Sequence, residues 1–505
     1  MLQLNRFSLY AFTVFLSSAL LMVLELSAGR LLAPYIGVSI YTWTSIIGVI
    51  LAGLSLGNWL GGVWADKGAG EYISGLVLGL AGITSLSILL ILTMIAPLLQ
   101  SANLSLLSAS FFYVLLMFFI PAILIGVVTP LLTTLSLRLN KRTGHVIGMM
   151  HALSALGSIL GTFITGYWLI QYIGTQMVIA LTALLLLLMS VPFLYLSSRK
   201  SLTAMLVIAI GVTAFTFSEK GFLNPCDKES QYFCIRIVNA NQDVPYGKAN
   251  AMVLDALLHG INHANEPDML VSPYVHAMDE LLHFHMQEHY TQGNYFFAGG
   301  GSYTHPRALR SQAPDANIII AEIDPMVTRS AKERMFFSPD EFTILHSDAR
   351  IALQQFEHQR FDAVIGDVFH DIALPYHLTT REYTAMIKQR LTADGIYVLN
   401  VVDAYPDPLL VKSIYKTLRS EFRHVHIWLN ELPSQATRMT YVLSATHRDF
   451  PDNITAQHGF ERRWHKMTNK LILSDTPLAE LPLLTDDYVP VDRLVSRLIT
   501  TKLGR

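Results

Sequence analysis

Three consecutive glycines, Gly299-Gly300-Gly301, close a short apolar run, and carboxylates stand at or just after the ends of the three apolar runs that follow: Glu322 with Asp324, then Asp348, then Asp367. Glycines after a first strand let a cofactor approach the backbone, and an acid about twenty residues on accepts hydrogen bonds from ribose hydroxyls. Glu322-Ile323-Asp324 stands at that spacing. Asp348, followed by Ala349, is placed to accept from an adenine amino group, and Asp367 ends Val364-Ile365-Gly366-Asp367. A lone aspartate at such a place often caps the next helix. Three acids at successive strand ends point instead to a ligand site, because open α/β sheets bind at the carboxyl ends of their strands.

These residues need a sheet to hold them. Runs rich in β-formers cover Tyr295 to Ala298, Ile318 to Glu322, Phe342 to Leu345, Ala363 to Asp367, Ile396 to Val401, His424 to Trp428 and Thr440 to Ser444. Helical stretches alternate with them, which predicts a doubly wound, Rossmann-like α/β domain over 291–505. A small β-rich segment, 218–290, leads into it.

Before Ser218 the solvent changes. Apolar segments near 8–32, 43–65, 73–98, 110–136, 145–170, 175–197 and 201–217 predict an α-helical transmembrane domain over 1–217, because most exceed the roughly 20 residues that a span requires. The first carries Glu25 and Arg30 and lacks a small-residue cleavage site, so it reads as a retained helix rather than a signal peptide. The last is short and holds Gly211, which leaves six helices as the alternative to seven. This split explains a composition that is 52% hydrophobic and only 15% charged over 505 residues. A net charge of −2 with no basic stripe excludes a nucleic-acid surface.

Arg6, Lys67, Arg138, Lys141, Arg142, Arg199 and Lys200 fall on one side of the expected membrane, which places the N-terminus in the cytoplasm. Seven helices would then put residues 218–505 outside it, in tension with a cofactor made in the cytoplasm. Cys226 and Cys234, the only cysteines, could close a disulfide in an oxidising compartment or remain two reduced thiols. No second pair completes a metal site with them, and no metal is expected. Gly53, Gly57 and Gly61, like Gly157 and Gly161, recur at four-residue spacing suited to close helix packing. Glu25, Asn58 and His151 lie within or near apolar segments where polar groups need partners, Glu25 either pairing with Arg30 or facing a cavity. Pro121 and Pro130 are expected to kink the fourth helix.

The chain resembles the spermidine synthase (polyamine aminopropyltransferase) family, and within it the membrane-fused branch. The resemblance runs from Glu229-Ser230-Gln231-Tyr232 through Leu254-Asp255 and Tyr274 to the glycine loop, Glu322, Asp348 and Asp367. It includes Pro375 to Glu382, Thr485-Asp486-Asp487-Tyr488 and, in the apolar half, Leu24-Glu25 to Gly37. It implies transfer of an aminopropyl group from decarboxylated S-adenosylmethionine to a polyamine or related amine. Glu322 would hold the ribose, Asp348 the adenine, and Asp367 would orient or deprotonate the amine. Asp255 and Tyr274 match polyamine-binding positions, and His259 stands where the family commonly has Gln. The family is often dimeric, so a homodimer is also implied.

Two departures matter. Where soluble members follow the glycines with an acid that grips the donor's ammonium, this chain has Ser302, leading into Tyr303-Thr304-His305-Pro306-Arg307. In the loop after Asp367, His370 replaces a second acid. With Arg307 nearby, intact S-adenosylmethionine becomes an alternative donor and methyl or alkyl transfer an alternative reaction. A third reading is a binding or transport-coupled membrane protein that kept the fold and lost catalysis. The expected location is a bacterial inner membrane, with a small-molecule amine and the lipid bilayer as partners.

Overall fold

The computed structural model describes residues 2–101, 104–139, 142–368 and 375–500. They form two compact units, Met1–Cys234 and Ile235–Arg505.

In the first unit, seven of the described helices are long and apolar enough to cross a membrane. They are α1 (Leu2–Ile36), α2 (Ile40–Asp66), α3 (Glu71–Ser101), α4 (Leu106–Leu139), α5 (Thr143–Ile173), α6 (Thr175–Ser197) and α7 (Arg199–Ser218). The short last segment is thus a separate helix. Ser198, in extended conformation, divides it from α6 and accepts a hydrogen bond from the Ser201 N–H. Gly174, at φ 84°, separates α5 from α6, a backbone state that costs glycine little.

The spaced glycines are where backbones meet. A methyl group added at Gly57 would overlap the Ile123 carbonyl of α4, and one at Gly61 would come within 2.6 Å of the Val127 carbonyl. Gly157 and Gly161 of α5 meet the Phe15 and Ala19 carbonyls of α1 in the same way. Without a hydrophobic drive between helices in lipid, such close approach supplies the packing. Pro121 and Pro130 both lie inside α4, which runs continuously through them. Asn58 and His151 are on exposed faces. Arg30 does not pair with Glu25: its guanidinium donates to the carbonyls of Ser230 at 2.7 Å and Tyr232 at 2.8 Å. Nearby, Cys226 and Cys234 form a disulfide. Glu229 caps α6 by accepting from the Thr175 N–H at 3.1 Å.

The second unit opens with an antiparallel sheet, β1 (Cys234–Asn239), β2 (Ala249–Leu254) and β3 (Leu257–His263), with Ile235 opposite Leu254 and Ala249 opposite His263. The turn between β2 and β3 places Asp255 at φ 51°.

A nine-stranded sheet follows: β4 (Asn294–Ala298), β5 (Asn317–Ala321), β6 (Thr343–Leu345), β7 (Phe361–Gly366), β8 (Leu391–Tyr405), β9 (His424–Leu429), β10 (Thr437–Thr446), β11 (Asn453–Thr455) and β12 (Arg463–Lys466). Its spatial order is β11-β12-β9-β10-β8-β7-β4-β5-β6. Strands β6, β5, β4, β7 and β8 are parallel, and the pairings beyond β8 are antiparallel. All seven expected strands are present; β11 and β12 are additional. Tyr295, Phe296, Phe297 and Ala298 are all at most 2% exposed, as befits a parallel strand covered on both faces. The chain leaves β4 toward β5 and β6, then returns to β7 on its other side. That reversal opens a crevice at the carboxyl ends of β4 and β7.

Candidate functional site

After Ala298 the backbone turns through Gly299 (φ 88°), Gly301 (φ 52°) and Tyr303 (φ 58°) into helix α8 (Thr304–Gln312). The turn is pinned on both sides. The Gly299 N–H donates to the Ala321 carbonyl at 2.9 Å, and the Asp367 N–H donates to the Ala298 carbonyl at 2.9 Å. A side chain at Gly299 would overlap the Asp367 carbonyl, so both space and φ require glycine there.

Glu322, at the end of β5, is 5% exposed and accepts from the Gly300 N–H and the Asp324 N–H, each at 2.9 Å. Burial pushes its carboxyl up to about 7, while these two donors act in the opposite direction. Asp324 accepts from the Met326 N–H at 2.9 Å and caps helix α9 (Pro325–Arg334). It thereby fixes the segment that carries Glu322.

A cleft beside the turn brings together Gly299, Gly300, Ser302, His259, His305 and Asp367. Asp367 accepts from Asn400 Nδ2 of β8 at 2.8 Å. Burial raises its carboxyl to about 6, against the Asn400 hydrogen bond and the His305 charge. Gly301 adjoins the same carboxylate: an added methyl there would lie 3.4 Å from its Oδ2. The Tyr274 hydroxyl donates to the His259 carbonyl at 3.2 Å. Burial, with the Asp367 charge second, holds that phenol well above its ordinary pKa. Tyr274 also borders a larger, open hollow that includes Trp428, Glu431, Arg438 and Trp464.

Other expected residues lie apart from this cleft or are otherwise engaged. Asp348 caps the helix Ala349–Gln354 through the Arg350 N–H at 2.9 Å, with Ala349 as the first helical residue, and its other oxygen meets His377 Nε2 at 2.7 Å. Arg350 in turn makes a two-pronged pair with Asp486 at 2.8 and 2.6 Å. The motif around Asp486 therefore braces the end of β6. Asp255 is fully buried, and its carbonyl accepts from Arg236 at 2.6 Å. His370 lies outside the described residues. Arg307 does not line the cleft: it donates to the Ala264 carbonyl at 3.2 Å and lies against the Phe336 ring. Arg307, expected near the donor site, is thus not among the residues that line the cleft. Ser302 is 2% exposed and engaged with Thr304 Oγ1 at 2.6 Å.

The sequence did not single out Asn400, which fixes Asp367, or Asp279, which meets His305 at 3.2 Å. Both partners come from elements distant in the chain, so no local spacing marks them. Elsewhere, His424, His426 and Asp449 place ligand-type atoms within 4.8 Å of one another. Lys466 Nζ stands 3.2 Å from that Asp449 carboxylate and competes with any cation there.

No protein-family model matches the chain. A polyamine aminopropyltransferase of Vibrio vulnificus is 36% identical over 105 residues, 20% of this chain and 34% of that protein. An N-terminal histidine N-methyltransferase of Emericella nidulans is 32% identical over 136 residues, 25% of this chain and 24% of that protein. The matches span between 23% and 52% of the lengths of the first three curated relatives. Among solved structures, a probable spermidine synthase from Corynebacterium glutamicum is similar with a TM-score of 0.44 and 17% identity, covering 53% of this chain and all of that one.

Proposed function

We propose that this chain, a spermidine-synthase-like protein with seven membrane-spanning helices, transfers an aminopropyl group from decarboxylated S-adenosylmethionine to a polyamine or related amine. The observation that carries this reading is the cleft in which Asp367 stands beside the glycine turn, whose Gly300 N–H donates to Glu322. The adenosine would lie along the strand ends, with its ribose on Glu322 and its adenine toward Asp348 and Ala349. Its sulfonium would then face Asp367. Donor and acceptor are both cationic, so a carboxylate between them lowers the cost of bringing them together. Asp367 would hold and orient the amine, with Tyr274 and the adjoining hollow receiving the rest of it. Asp255 and His259 would complete the acceptor end, and His370 is assigned there from the resemblance.

Methyl or alkyl transfer from intact S-adenosylmethionine is the second reading. Ser302 favours it, because no carboxylate at that position meets a decarboxylated donor's ammonium. The similarity to a methyltransferase favours it too. Calorimetric titration of the detergent-solubilised protein with each donor distinguishes the two. Tighter binding of the decarboxylated donor supports aminopropyl transfer, tighter binding of the intact donor supports the alternative, and binding of neither overturns both. In either transferase, Asp367→Asn is expected to lower kcat by about 100-fold or more.

We place the protein in a bacterial inner membrane with its N-terminus in the cytoplasm and the second unit on the far side. The odd helix number, the positive residues on one side and the Cys226–Cys234 disulfide support that placement.

A further inference from the structure

We propose that His305, held by Asp279, takes the proton that the attacking nitrogen loses. The inference rests on the transferase reading. Both residues are 3% exposed. His305 Nε2 lies 3.2 Å from Asp279 Oδ1, which also accepts from the Tyr290 hydroxyl at 2.8 Å. His283 Nε2 stands 3.7 Å from the other Asp279 oxygen. Phe297 packs edge-on against the His305 ring, with centroids 5.2 Å apart. The ring is therefore fixed in place and direction.

Its second nitrogen is the telling one. Asp279 is held down to about 2 by its histidine and tyrosine neighbours, which outweigh its burial. It is an acceptor, so the nitrogen that faces it, Nε2, carries a proton, and the base form of the ring keeps its lone pair on Nδ1. Nδ1 is buried with no hydrogen-bond partner. A buried polar atom left unsatisfied costs free energy unless a ligand serves it. His305 lines the same cleft as Asp367 and Ser302, so the ligand group that serves Nδ1 is one that donates a hydrogen. An amine nitrogen beside Asp367 does so.

The step balances. The nitrogen lone pair forms the new N–C bond, the C–S bond breaks, and its electron pair converts the sulfonium to a neutral thioether. The departing N–H proton goes to Nδ1, and the resulting imidazolium stays opposite ionised Asp279. Asp367 keeps the amine in line and need not change protonation. The titratable groups facing this ring are Asp279, with His283 and Tyr290 behind it, and Asp367 across the cleft with His259.

His305→Gln tests this, because glutamine can still donate to Asp279, while its amide oxygen is no base and cannot take up the proton. The assay uses full-length protein in detergent with decarboxylated S-adenosylmethionine and putrescine, and intact S-adenosylmethionine in parallel. The expected result is a kcat loss of about 100-fold or more, with the donor Kd within about threefold of wild type and the acid limb of the kcat profile flattened. Calorimetric donor binding shows whether the variant is folded. Asp279→Asn should move the same limb while the donor Kd stays. Variants that bind donor and retain wild-type kcat and pH profile overturn the assignment of His305 and leave the transferase reading intact. Variants that lose donor binding as well show a structural role and also overturn it. A wild-type protein that binds or uses neither donor overturns the transferase reading, and this inference with it.

Discussion

Glu322 braces the glycine turn through Gly300 and Asp324, and in the proposed reading it also offers a buried carboxylate to a ligand. Its ordinary pKa is raised to about 7 in the fold, so the folded state holds a proton that the unfolded chain releases near 4.5. That contribution to stability is present below the unfolded pKa and is lost as pH rises through about 7. Chemical denaturation between pH 5 and 8 should show this slope, and Glu322→Gln should flatten it. The same variant should bind donor about 10- to 100-fold more weakly, the loss expected for a hydrogen bond to a charged group. Under the proposed aminopropyl reading, Ser302→Asp would put a carboxylate where the donor's ammonium is expected. It should shift calorimetric preference toward the decarboxylated donor, and an unchanged preference would remove Ser302 from the account of specificity. The carboxylates were legible in the sequence because each ends a strand. Asp279 and His305 were not, since 26 residues separate them and only the packing of a helix against the turn joins them. Arg307 shows the converse: nearness in sequence to the glycine turn did not make it a lining residue of the cleft.

Strand and helix positions were legible where burial dictates composition. Parallel strands covered on both faces must be apolar throughout, so β4, β5 and β7 stand out as runs of Ile, Val, Phe and Ala. Strands β11 and β12 were not legible, because three- and four-residue strands are fixed by pairing rather than by pattern. In the helical unit, glycine spacing identified the contact faces but not their partners. The contrast between Gly57 and Gly62 makes this testable. A side chain at Gly57 would strike α4, whereas one at Gly62 meets nothing within 4 Å. Gly57→Leu should therefore destabilise the detergent-solubilised protein, with overpacking costing about 1–3 kcal/mol or more. Gly62→Leu should melt like wild type, and equal melting temperatures for both would refute the close α2–α4 approach.

At the scale of the molecule, hydropathy alone separated a lipid-facing half from a water-facing half. Orientation depends on the helix number. Leu473 is 84% exposed in the second unit, so Leu473→Cys should react with a membrane-impermeant maleimide in intact cells, the native cysteines being joined. Labelling only after the membrane is opened would reverse the proposed orientation. The pair between Arg350 and Asp486 has a consequence for biogenesis. The support behind Asp348 is contributed by a segment 136 residues beyond Arg350, so during synthesis the helices emerge first and the brace behind Asp348 closes only after residue 486 has emerged. A nascent chain paused before residue 486 would already hold its glycine turn, yet could not close the brace at β6. The order of translation thus leaves the proposed site unfinished until the segment around Asp486 has left the ribosome.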